Sequence, residues 1–194
     1  EGSLSKVSLK ETDNNIVMVA IGGKNKHYQF NEEHILSQID YFISLNSNKY
    51  CYIFNSRRTP ALFNKRISSL VKNNPNIKFI NFNEEPITSF ESILHKSSIK
   101  LITRDSVNMV YESLSSRGET TLFNMDYQKK DKVVKQIHHL LINKNVGYID
   151  ISDLMQGQSK KTIKSMKIIK QPNQVLFSEV EKLAFKLDKI LHND

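Results

Sequence analysis

The sequence predicts a three-layer α/β/α sandwich built on a mainly parallel sheet, and three observations carry that expectation. Short apolar runs alternate with helical stretches along the chain. The first run, IVMVAI at 16–21, is continuously apolar and rich in β-branched residues, as a strand buried on both faces must be. It ends in Gly22-Gly23, where the chain has to turn. Alternation of this kind, strand then helix, is the pattern of a doubly wound fold.

The elements follow in order. Residues 31–45, NEEHILSQIDYFISL, predict a helix with Asn31 as N-cap and Glu32 and Glu33 in its first turn. Ile35, Ile39, Phe42 and Ile43 keep helical spacing. CYIF at 51–54 is a second strand, followed by a helix over 61–74 with Thr59 at N-cap and Pro60 at N1. IKFINF at 77–82 is a third strand and ITSFESILHKS at 87–97 a short helix. IKLIT at 99–103 makes a fourth strand, and 106–118 a helix closed by Gly118. TTLFNM at 120–125 is a fifth strand, and 132–145 a further helix. Residues 1–15 are polar and read as a leader or linker, leaving 16–194 as one Rossmann-like domain. The stretch 156–172 reads as irregular, with Lys160, Lys161, Lys164, Lys167 and Lys170 and no acid, before an amphipathic helix over 174–191.

Composition narrows the function classes. The 194 residues are 39% hydrophobic and 25% charged, enough to bury a core in one generous domain. No apolar run reaches the roughly 18 residues of a membrane span, and a lone cysteine, Cys51, points to a reducing, cytoplasmic compartment. The net charge of +8 comes from 23 lysines and five arginines spread along the chain. It argues for a solvated surface rather than a nucleic-acid partner, since no RNA-recognition signature, zinc-finger spacing or aromatic stacking platform accompanies it. The lysine-rich 160–170 stretch offers at most a peripheral contact with an anionic membrane. His138 and His139 are adjacent and so diverge on a helix. His27, His34, His95 and His192 lack the spacing of metal ligands, and no Gly-x-Ser-x-Gly elbow is present.

Two of the five arginines, Arg57 and Arg58, stand at the tip of a buried strand. Ligands of doubly wound sheets bind beyond the carboxyl ends of the strands, where GGKNKHY (22–28), NSRRT (55–59) and TRDSVNM (103–109) would gather on one rim. Paired glycines allow close backbone approach. Helix starts at 59–60 and 105–106 present N–H groups and a positive dipole end to an anion. Lys24, Arg57 and Arg58 suit a diphosphate, with Ser56 and Thr59 beside them. Asp105, Met109 and Glu112 share one helix face, where an acid could accept hydrogen bonds from ribose or sugar hydroxyls. Each feature also has a purely structural reading. Gly22-Gly23 serves equally as a tight turn, and Arg57 and Arg58 can pair with Glu84, Glu85 or Asp105. Asp105 or Ser106 can be an N-cap, Met109 core, and Glu112 solvated surface.

These same residues carry a resemblance. Ile21-Gly22-Gly23, then Ser56 to Pro60, then Thr103, Asp105, Ser106, Val107, Met109 and Glu112 follow the pattern of the elongated-mitochondria fission family and its bacterial relatives. That pattern runs Ile-Gly-Gly, Ser-Arg-Arg-Thr-Pro, and Thr-Ala-Asp-Ser-Val-Ser-Met-x-x-Glu-Ala, and the resemblance covers about residues 16–125. The chain departs from it at Arg104, Asn108, Ser113 and Gly118-Glu119-Thr120. The resemblance implies the carboxyl-terminal half of a GT-B glycosyltransferase-like protein, the half that holds a sugar nucleotide. It implies a UDP- or GDP-type sugar as ligand, with Gly22, Gly23, Ser56, Arg57 and the 105–106 helix start at the diphosphate and Glu112 at the ribose. It also implies an absent amino-terminal half, so that this chain would bind without turnover in a glycosyltransferase- or epimerase-like protein. The alternative is a non-enzymatic adaptor, as in the plant relatives, which help recruit a dynamin-type fission protein to the mitochondrial surface.

Overall fold

The computed structural model describes residues 10–143, 145–151 and 165–171. Its elements are β1 (Asp13–Ala20), α1 (Glu32–Leu45), β2 (Tyr50–Phe54), α2 (Ala61–Val71), β3 (Ile77–Ile80) and α3 (Phe90–Lys96). They continue with β4 (Ser97–Ile102), α4 (Val107–Leu114), β5 (Glu119–Leu122), α5 (Lys132–Ile142), β6 (Gly147–Asp150) and β7 (Lys167–Ile169). One seven-stranded sheet runs in the order β3-β2-β1-β4-β5-β6-β7. All neighbours are parallel except the β6–β7 pair. This is the Rossmann-like α/β fold expected from the alternation.

The apolar run explains why β1 is central. Val17, Met18, Val19, Ala20 and Ile21 have no exposed surface, so both faces need cover and both edges need a partner strand. β2 and β4 supply the edges, with Val17 opposite Cys51 on one side and Ile99 on the other. The connection leaves β1 toward β2 and β3, then crosses back to β4. The switch point therefore lies between β1 and β4, where the loops beyond them diverge.

Several boundaries differ from the sequence expectation. β1 begins at Asp13, inside the segment read as linker. Pro60, not Thr59, is the N-cap of α2, because the Thr59 hydroxyl turns inward to the Gly22 carbonyl. α3 is shorter than 87–97, starting behind a Ser89 cap. α4 stops at Leu114 rather than at Gly118. The buried Lys100 amine takes the carbonyls of Ser113, Ser116 and Arg117 at 2.7–3.1 Å and ends the helix there. Gly118, at φ 93°, instead makes the turn into β5 against the Ser97 carbonyl. α5 ends at Ile142 and starts behind Asp131, whose side chain accepts from the Val134 N–H. Two strands are additional: β6, and β7 within the stretch read as irregular. Lys160, Lys161, Lys164 and the 174–191 helix lie outside the described residues. No helix among the described residues is long and apolar enough to cross a membrane.

Candidate functional site at the sheet switch point

The rim beyond β1, β2 and β4 is laced by short-range chemistry. Past β1, the Ile21 N–H donates to the Phe54 carbonyl at 2.8 Å, and the Thr103 N–H donates to the Ala20 carbonyl at 3.1 Å. The Gly22 N–H then donates to the Thr103 hydroxyl at 2.8 Å, and the Gly23 N–H to Asp105 Oδ2 at 2.9 Å. Ser56 Oγ donates to the Gly22 carbonyl at 2.6 Å, and the Thr59 hydroxyl donates to the same oxygen. The Lys24 N–H reaches the Arg58 carbonyl at 3.2 Å.

Asp105 is the hub. Its side chain is fully buried, and Oδ2 faces the Arg58 guanidinium at 3.0 Å as well as the Gly23 N–H. Burying a carboxylate without partners costs several kcal/mol, so the pairing with Arg58 is what makes the position tenable. Oδ1 is equally buried and has no hydrogen-bond partner among the described residues. The two glycines are small for a reason internal to this lattice. A Cβ at Gly22 would overlap the Asp105 carboxylate, and one at Gly23 would overlap the Arg58 backbone. Asn25 completes the arrangement, donating to the Asp105 carbonyl at 3.2 Å while its Oδ1 accepts from the His27 and Tyr28 N–H groups.

The structure thus brings Gly22, Gly23, Ser56, Arg58, Thr59 and Asp105 together, with Lys24 joined through its backbone. Arg57 stands apart: it is exposed, and its guanidinium lies 5.8 Å from the centre of the Phe82 ring. Ser106 is the N-cap residue of α4 but makes no side-chain cap. Met109 packs against the core. Glu112 is half-buried, and burial together with the nearby Glu91 carboxylate raises its pKa above the ordinary range. Glu112 therefore belongs to the seam between α4 and α3.

The helix starts divide into two sets. α1, α3 and α5 are capped by the side chains of Asn31, Ser89 and Asp131. α2 and α4, which follow the two strands flanking β1, carry no side-chain cap. No N-cap side chain therefore takes the first-turn N–H groups of these two helices, which begin just past the strands on either side of β1. Along the loop that follows Gly22-Gly23, an open pocket of about 450 Å³ is lined by Lys24, Asn25, Tyr28, Phe30 and Gln128 among others. Among the described residues, no group of three or more His, Cys, Asp or Glu is placed to hold a metal ion.

Sequence reasoning missed three contributors. Thr103 and Asn25 sit inside the motifs that mark the rim, and an Asn two residues past paired glycines is a turn-forming signal. The third is the His27–Asp131 contact at 2.6 Å, which ties the loop after β1 to the start of α5. The 104-residue separation of those two partners leaves no local signal.

Comparison with curated proteins and with solved structures finds no significant match. Comparison with family models finds one described as Mitochondrial fission ELM1, matching residues 3–165. That span holds the whole laced rim, from Gly22 through Asp105, and most of the chain, so the protein belongs to the mitochondrial fission ELM1 family.

Proposed function

We propose that this domain binds a nucleoside diphosphate sugar of the UDP or GDP type at the switch point. The observation that carries the reading is the pair of uncapped helix starts, α2 and α4, on either side of Gly22-Gly23. A diphosphate on these N–H groups would gain charge-assisted hydrogen bonds and the favourable end of both helix dipoles. Exposed Lys24 lines the 450 Å³ pocket, which has room for part of the ligand, and exposed Arg57 would have to swing off the Phe82 ring to help neutralise the diphosphate. The role of Arg58 is to hold Asp105 rather than the ligand. In the resemblance to GT-B proteins, a second half would bring the acceptor, and this domain alone would bind without turning over.

The test uses thermal shift with UDP, GDP, UDP-GlcNAc and GDP-mannose at millimolar concentration. Binding to the folded state raises the melting temperature of the wild type. Arg57→Ala should weaken the response. Ser106→Asp should abolish it while leaving the free protein as stable or up to about 1 kcal/mol more stable, because a carboxylate cap would occupy the anion's place.

A second reading has its own observation. Asp105, Arg58, Ser56 and Thr59 satisfy one another and the Gly22 and Gly23 backbone, which is what a purely structural rim needs. On that reading the domain is a non-enzymatic interaction module. No nucleotide would then shift the wild type, and Ser106→Asp would only stabilise it.

A further inference from the structure

A second cavity, of about 160 Å³, lies on the other side of the β4 loop, between that loop and α5. Its lining includes Arg104, Lys130 and Lys135 together with the His138 imidazole, and none of the described lining residues is a carboxylate. Val134 and Leu141 give it an apolar wall. Tyr28 contributes a buried ring, and burial pushes its hydroxyl pKa up to about 12, so the group remains a neutral donor. Arg104 is the unusual member. Its Nε is sealed from solvent and has no hydrogen-bond partner among the described residues. Asp126, Tyr28 and Tyr148 act on it only through space, and none of the described carboxylates forms an ion pair with it.

A guanidinium cannot shed its charge to escape burial. Arg104 is only partly exposed, and sealing its Nε away from water and from any acceptor is unfavourable unless something of opposite charge arrives. Asp105, the adjacent residue, cannot serve because its charge is committed to Arg58 and Gly23 on the opposite side of the loop. The volume is close to that of an engineered cavity of about 150 Å³ that accepts benzene. Size, apolar wall and surplus positive charge therefore describe one kind of guest.

We propose that Arg104, Lys135 and Tyr28 form a receptor for a compact organic anion, a carboxylate or phosphate monoester on a short apolar body. The oxyanion meets the Arg104 guanidinium and the Lys135 ammonium, and the apolar body lies on Val134 and Leu141. The site shares Tyr28 with the 450 Å³ pocket but takes its charge from Arg104 and Lys135, which line that pocket nowhere, so variants of those two residues distinguish the sites.

The probes are benzoate, phenyl phosphate and, as a neutral control of the same shape, benzyl alcohol, in thermal shift on the full chain. Wild type should gain about 4 °C near saturation with at least one of the two anions and essentially nothing with benzyl alcohol. Which anion prevails separates the carboxylate from the phosphate monoester. Arg104→Met should lose the response yet melt no lower than wild type without ligand, since it removes a partly buried charge that has no ion-pair partner among the described residues and largely keeps the volume. Exposed Lys135→Gln should fold normally and respond at least threefold more weakly. Arg57→Ala should respond as wild type does. The idea is overturned if neither anion stabilises the wild type, if Arg104→Met responds equally, or if benzyl alcohol does as well as benzoate.

Discussion

At the scale of single residues, Arg57 and Arg58 are neighbours with different tasks. Arg58 neutralises a carboxylate that is wholly buried, whereas Arg57 rests on an exposed ring. Arg58→Ala should therefore cost about 1–3 kcal/mol, with Asp105 left unpaired. Arg57→Ala should cost less, at most about 1 kcal/mol, as exposed cation–π contacts and surface substitutions generally do. Urea denaturation of the two variants checks the contrast, and equal losses would contradict it. The adjacent pair is visible in the sequence, but its division of labour is not. Which of two consecutive side chains turns inward depends on where Asp105 sits, 47 residues later in the chain.

At the scale of elements, α4 and β4 are joined through Lys100. Its three N–H groups are shared among the carbonyls of Ser113, Ser116 and Arg117 and Ser116 Oγ, satisfying orphan groups at the helix end. Burial pushes its pKa down to about 7. Between there and the ordinary lysine value near 10.4, the unfolded chain binds the proton more tightly than the native protein does. Stability therefore rises with pH through that window from this group, and is lowest below it, where both states are charged. Lys100→Met should flatten this part of the profile in denaturation measured from pH 7 to 10. It should also lower stability at pH 10, because the carbonyls at the end of α4 lose their donor.

Most elements are legible from the chain because each states its own period and caps, as Asn31 and the 35–39–42–43 stripe do for α1. β6 is not, since Gly147-Tyr148-Ile149-Asp150 is four residues long and mixes a glycine with an acid. β7 hides among lysines, being three residues whose conformation is set by pairing with β6. α4 misleads in a different way. Its periodic pattern runs on toward Gly118, and only a lysine from another strand stops it at Leu114. The rim is legible as a place, because the polar clusters follow strands, but its internal bonding spans about 80 residues and leaves no local trace.

At the scale of the whole molecule, the sheet is most securely held at its middle. β1 is buried on both faces and paired on both edges, whereas β3 and β7 are edge strands. Amide hydrogen exchange should be slowest at Val17–Ala20 and Leu101–Ile102 and much faster in β3 and β7. Comparable protection across all seven strands would contradict this gradient. The net charge of +8 acts at this scale too, keeping molecules apart, while the surplus concentrated around Arg104 is local.

The central position of β1 also sets an order of events during synthesis. β2 can pair with it as soon as residue 54 has left the ribosome, but its other neighbour, β4, is complete only at residue 102. For nearly fifty residues of translation the nascent chain carries an open strand edge along its most apolar segment. Such an edge is a template for pairing with another chain. Chains interrupted before Ser97 should accordingly be aggregation-prone and chaperone-bound, and chains released after Ile102 much less so.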